Sequence, residues 1–111
     1  MGYVYLLANF DVDNTYKIGV TRGDINKRIK KLQTGSSGEI VLISKYETKI
    51  PFFIEKWLHF KFCKNKIRNE WFKLSDEEVL TFKDRCKEIE TMYNDMSTNY
   101  FFTKNQKPNI Y

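Results

Sequence analysis

Cysteine and histidine are scarce in this chain, and their scarcity excludes several kinds of protein at once. There are two cysteines, Cys63 and Cys86, and one histidine, His59. The cysteines form no CxxC pair, so a zinc cluster cannot be assembled within the chain. Two free, buried thiols in a reducing compartment are the expectation. Long apolar runs are missing too, since nothing approaches the ~20 residues needed to cross a bilayer. The short run Tyr3 to Ala8 has no basic flank before it, as a secretory leader would have. A soluble, intracellular protein is expected, of the cytoplasm or nucleus, with no role in a membrane. Excess charge is modest: 19 Lys and Arg against 14 Asp and Glu leave +5. That balance is compatible with a phosphate-binding surface and equally with plain solubility. No internal repeat and no domain linker is visible.

What the chain does have is apolar and aromatic mass. Its 111 residues suit one domain, and at 41% hydrophobic they can bury a core without staples. Nine Phe, seven Tyr and two Trp must supply much of that core, because they carry the largest apolar area per residue. Tyr3 to Ala8 is apolar on both alternating sets and reads as a strand covered on both faces. Turn formers Asp11, Asp13 and Asn14 follow, and Tyr16 to Thr21 resumes as a strand, so the two predict an antiparallel hairpin. On the second strand Tyr16, Ile18 and Val20 share one face and Lys17, Gly19 and Thr21 the other.

Asp24 predicts a helix cap, with Gly35 as the stop and Ile25, Ile29 and Leu32 as the apolar stripe. Ile40 to Tyr46 reads as a third strand. Pro51 opens a helix of about 52–63, apolar almost all round and so expected to be central and buried. Residues 64–69 read as a basic loop and 70–74 as a short extended segment. A capping box of Ser75 with Glu78 starts a last helix reaching about Tyr93. The domain is thus expected over 1–93. A tail over 94–111 offers Tyr100, Phe101 and Phe102 for docking on the core.

Several polar residues sit where a core is expected. Glu55 lies on the apolar helix, where an unpaired carboxylate costs several kcal/mol, on the order of buried-charge penalties. Arg28, His59 or a hard cation such as Mg²⁺ would make it tolerable. Glu55 and His59 are four apart and share a helix face. His59 is either a satisfied core histidine, an orienter of Glu55 or a phosphate ligand. Arg28 falls at the edge of its helix's buried face and needs an acceptor, from the protein or from a ligand. Tyr5 is either a core tyrosine or a phenol that surrenders its proton, which requires nearby cations such as Lys17 and Arg28. Gly19 leaves room beside Lys17 for a backbone or a substrate. Glu70 is either an exposed loop charge or a second acidic group. Lys27, Lys30, Lys31, Lys64, Lys66 and Arg68 form a phosphate track only if the fold brings them together.

The order of these features resembles the GIY-YIG nuclease superfamily. Tyr3-Val4-Tyr5 resembles its first tripeptide and Lys17-Ile18-Gly19 its second. Lys27-Arg28-Ile29 resembles the segment with the family arginine, and Ile54-Glu55-Lys56-Trp57-Leu58 the segment with its metal-holding glutamate. Tyr16-Lys17-Ile18-Gly19 and Asn69-Glu70-Trp71-Phe72 look like a branch found in phage proteins and in fungal proteins described as meiotically up-regulated. The resemblance implies an α+β fold with a central three-stranded antiparallel sheet flanked by helices. It also implies divalent-metal-dependent hydrolysis of DNA with Mg²⁺ or Mn²⁺. The catalytic residues would be Tyr5, Lys17, Arg28, Glu55 and His59, with Glu55 as the metal ligand. Tyr16, Gly19, Lys27, Lys31 and Glu70 would meet the substrate. One departure matters: Lys17 stands where the family usually has tyrosine. Three readings therefore remain open: a DNA endonuclease, a nucleic-acid-binding module without catalysis, and a protein-interaction domain.

Overall fold

The fold was obtained as a computed structural model, and it describes residues 1–98. The elements run in the order β1 (Gly2–Asn9), β2 (Thr15–Thr21), α1 (Ile25–Thr34), β3 (Ile40–Thr48) and α2 (Pro51–Lys61). A 3-10 turn over Cys63–Asn65 leads to β4 (Lys66–Arg68), β5 (Trp71–Lys73), α3 (Asp76–Leu80) and α4 (Phe82–Thr98). The strands form one antiparallel sheet in the order β3-β1-β2-β5-β4. The α+β class is as expected, but the sheet has five strands where three were expected. β5 falls on the segment expected to be extended, whereas β4 occupies the stretch expected as a basic loop, because its three residues, all exposed, are too few for alternation to declare itself.

β1 is central, and its alternating residues feed two cores. Val4 and Leu6 join Ile18, Ile54, Leu58, Phe62, Phe72, Leu74, Phe82 and Cys86 under α2 and α4. Tyr5 and Leu7 join Ile25 and Ile40 beneath α1, with Ile29, Leu32 and Trp71 packed around them. The expected α1 stripe is thus the one that docks. Asp24 caps α1 through bonds from the Asn26 and Lys27 amides, and Ser75 closes its capping box with Glu78. Asn14 and Asn69 take positive φ of 56° and 49°, which asparagine tolerates in tight turns, one before β2 and one before β5.

Three expectations need correction. α2 is not buried all round: Ile54 and Leu58 face the sheet, while Phe52 and Phe60 are 55% and 70% exposed. The sheet covers one side of α2 and α4 another, with Phe53 against Tyr93, and the remaining side stays open whatever its composition. Of the thiols, Cys86 is buried and Cys63 is exposed. The last helix is interrupted at Thr81, whose backbone leaves helical geometry as the C-cap of α3, and α4 then continues past Tyr93 to Thr98. The predicted docking of Tyr100, Phe101 and Phe102 lies outside the described residues.

Candidate active site

The site begins with strand register. Tyr5 on β1 stands directly opposite Gly19 on β2, and Leu7 opposite Lys17. Tyr5, Lys17 and Gly19 therefore point to the α1 face. The Tyr5 ring occupies the space beside Gly19: a Cβ there would lie 2.5 Å from the phenol oxygen. The room expected at Gly19 for a substrate is filled from within. Tyr5 is fully buried, and its hydroxyl oxygen accepts a hydrogen bond of 3.3 Å from Arg28 Nε. The interior acceptor that Arg28 requires is thus the phenol. That bond to Tyr5, helped by the charge of Glu70, holds the guanidinium pKa above its ordinary value.

The second half of the site forms where β5 begins. β5 pairs with β2 only over Thr15–Lys17. Beyond that, the Ile18 amide donates to the Glu70 carbonyl at 3.1 Å, and the Ile18 carbonyl accepts from His59 Nε2 at 2.9 Å. A carbonyl can only accept, so Nε2 carries the proton. His59 consequently anchors α2 to the free stretch of the β2 edge, and its ring packs edge-on against Phe72 at 4.9 Å. Glu55, one turn earlier on α2, lies 3.8 Å from the same nitrogen, an electrostatic contact too long for a hydrogen bond.

Glu70 connects the two halves. Asn69 turns the chain into β5, and Glu70 Oε1 meets Lys17 Nζ at 2.9 Å. The Lys17 ammonium also sits 5.8 Å from the centroid of the Trp71 ring. Burial is the largest influence on the Glu55 carboxyl and raises its pKa. His59 offsets part of that rise, the charge of Glu70 adds to it, and Lys17 opposes it. Glu55 and Lys17 start from opposite faces of the sheet, and their fields meet around the open edge of β2. Phenol, guanidinium, ammonium, imidazole and two carboxylates thus form one electrostatically connected group.

Not every sequence candidate joins it. Tyr16 packs into the opposite core beneath α2, and Lys27 is an exposed residue in the first turn of α1. Lys31 lines a groove together with Lys17, Arg28 and Arg68. Lys64 and Lys66 border a separate hollow with Lys73. Trp71 was not singled out in the sequence; only its pairing opposite Lys17 shows that it belongs here. Among the described residues, no group of three or more His, Cys, Asp or Glu converges in a metal-binding arrangement. Glu55, and Glu70 whose charge reaches it, are the carboxylates that this site offers a hard cation, and one or two carboxylates plus water is a set that Mg²⁺ accepts.

No helix among the described residues is long and apolar enough to cross a membrane. Compared with known proteins, residues 2–87 match the family model described as the T5orf172 domain. Neither the curated proteins nor the solved structures yielded a match.

Proposed function

Because the chain belongs to the T5orf172 domain family, whose members are associated with nuclease-like or DNA-binding functions, we propose that it is a divalent-metal-dependent DNA endonuclease of the GIY-YIG type. The observation that carries this reading is the linked set of Tyr5, Arg28, Glu70, Lys17 and Glu55 at the end of the β2–β5 pairing. The order of the sequence motifs supports it as well.

Arg28 neutralises charge on the phosphoryl oxygens, the task for which a fixed guanidinium fork is suited. Engaging a phosphate draws Arg28 away from Tyr5 and bares the phenol oxygen that it covers in the free protein. The phenol first gives its own proton to solvent, and the resulting phenolate then takes the proton of the attacking water. Lys17 is paired with Glu70 and cannot relay a proton as a second phenol would, so the proton path runs through Tyr5 alone. Glu55, with Glu70 beside it, would hold one Mg²⁺ or Mn²⁺. Bound there, the ion would supply Lewis-acid stabilisation of several kcal/mol at the leaving oxygen. His59 acts through α2, keeping Glu55 at the strand edge.

Supercoiled plasmid with Mg²⁺ or Mn²⁺ tests the proposal. Nicking is expected, with EDTA abolishing it and Arg28→Ala or Glu55→Ala each slowing it by roughly 100-fold or more. Wild-type protein that never nicks with either ion sinks the catalytic reading. The complete burial of Tyr5 favours the second reading, a binding module without catalysis. That module would bind DNA in a salt-dependent way and ignore Glu55→Ala.

A further inference from the structure

A groove of about 740 Å³ runs from the site between α1, the loop after it and the β4–β5 hairpin. It shares Lys17 and Arg28 with the site, and Lys31 and Arg68 extend its cationic wall. Among the described residues no carboxylate lines it, although Lys17 is paired with Glu70 at its edge. Asn9, Thr15, Ser36 and Ser37 add uncharged polar groups, and most of the remaining lining is apolar. Leu32, Ile40 and the Trp71 ring form its depth, and Val12 and Ile67 stand at its border. Those last two are 47% and 51% exposed, so apolar side chains from two separate hairpins are held in water at the same groove.

The chemistry of that lining discriminates between forms of nucleic acid. A duplex hides the faces of its bases and presents phosphates and base edges, which match cations and hydrogen-bonding groups. Apolar walls beneath a cationic rim match bases that are unstacked and laid against the protein while their phosphates are neutralised. The volume also belongs to the range of sites that enclose small molecules, roughly 300–1,000 Å³. Resting on the nuclease reading of the adjoining site, we propose that this groove holds unpaired nucleotides of DNA, so that the substrate carries a single-stranded segment next to the phosphate engaged by Arg28.

Binding measured in EDTA separates this proposal from catalysis. Fluorescence anisotropy would compare a labelled oligothymidylate with a hairpin duplex of equal phosphate count at one salt concentration. The single strand is expected to bind at least about tenfold tighter. Ile67→Ser, at an exposed position, should weaken single-strand binding several-fold and leave duplex binding unchanged. Arg68→Ala should weaken single-strand binding and reduce its salt slope by about one ion. Equal or tighter binding of the duplex, absence of binding to both, or indifference of single-strand binding to Ile67→Ser and Arg68→Ala overturns the groove. Tighter binding of an oligouridylate than of the oligothymidylate overturns the choice of DNA. Selective single-strand binding by a protein that never nicks sinks the nuclease reading alone, and nicking without that selectivity sinks the groove alone.

Discussion

Gly19 shows how much of this site hangs on one absent atom. The Tyr5 ring lies across β2 where any other residue would place its Cβ, 2.5 Å from the hydroxyl and 2.6 Å from the ring carbon that bears it. Neither side can yield easily, because Tyr5 is enclosed in the core beneath α1 and tied to Arg28. Gly19→Ala should therefore act as an overpacking substitution, costing about 1–3 kcal/mol. The melting temperature should fall by ~4–8 °C per kcal/mol, as is usual for a small domain. An unchanged melt would show that Tyr5 moves freely and that the Arg28 contact is not held by packing. His59 teaches a related lesson. Its pairing with Glu55 could be read from spacing, but its proton is committed to the carbonyl of Ile18.

At the scale of elements, α2 performs two tasks that its composition blurs into one. Its apolar face of Ile54 and Leu58 seals the sheet, and Glu55 sits at the boundary of that face. Burial raises the Glu55 pKa in the folded protein. The folded state then keeps its proton at a pH where the unfolded chain has released it. That contribution to stability is intact below the ordinary carboxylate range and is lost as pH rises through the raised value. In EDTA, Glu55→Gln should therefore raise the melting temperature relative to the wild type at neutral pH. The gain should shrink toward zero at about pH 4, near the unperturbed glutamate range. A gain of the same size at both pH values, or a loss at neutral pH, would contradict the assignment of a half-buried, charge-strained carboxylate. β4 and β5 make the complementary point. They are short, yet the turn into β5 places Glu70 against Lys17, and β5 begins where the β2 edge must be open.

Across the whole molecule, two cores share a single sheet, and the thiols report on them differently. Cys86 is fully buried under α2, with Phe62, Phe72 and Phe82 in the same core, and burial pushes its thiol up to about 12. Cys63 is exposed in the turn after α2. A disulfide reagent at about pH 8, near the ordinary thiol range, should thus label one thiol quickly in the native protein and both in denaturant. The slow labelling of Cys86 should follow global unfolding, because its core joins the sheet to α2 and α4. Equal native rates for both thiols would mean that this core opens locally.

Much of the architecture was legible along the chain because it rests on local physics. The β1–β2 hairpin, the capped α1, the start of α2 at Pro51 and the Ser75 capping box are each settled by periodicity, turn residues or a hydrogen bond spanning three residues. The polar residues Arg28 and Glu55 stood out because burial makes them costly. The tertiary structure decided what these groups face. Only strand register puts Tyr5 over Gly19, and only the start of β5 opposite Lys17 brings Glu70 to Lys17 and the charge of Glu55 around the sheet edge. The division of the cations into a groove with Trp71 and a separate hollow likewise depends on contacts distant in sequence. The five-stranded sheet and the half-exposed α2 belong with these. Three-residue strands are too short to show a period, and the exposed Phe52 and Phe60 hide the one that the buried face of α2 would otherwise show.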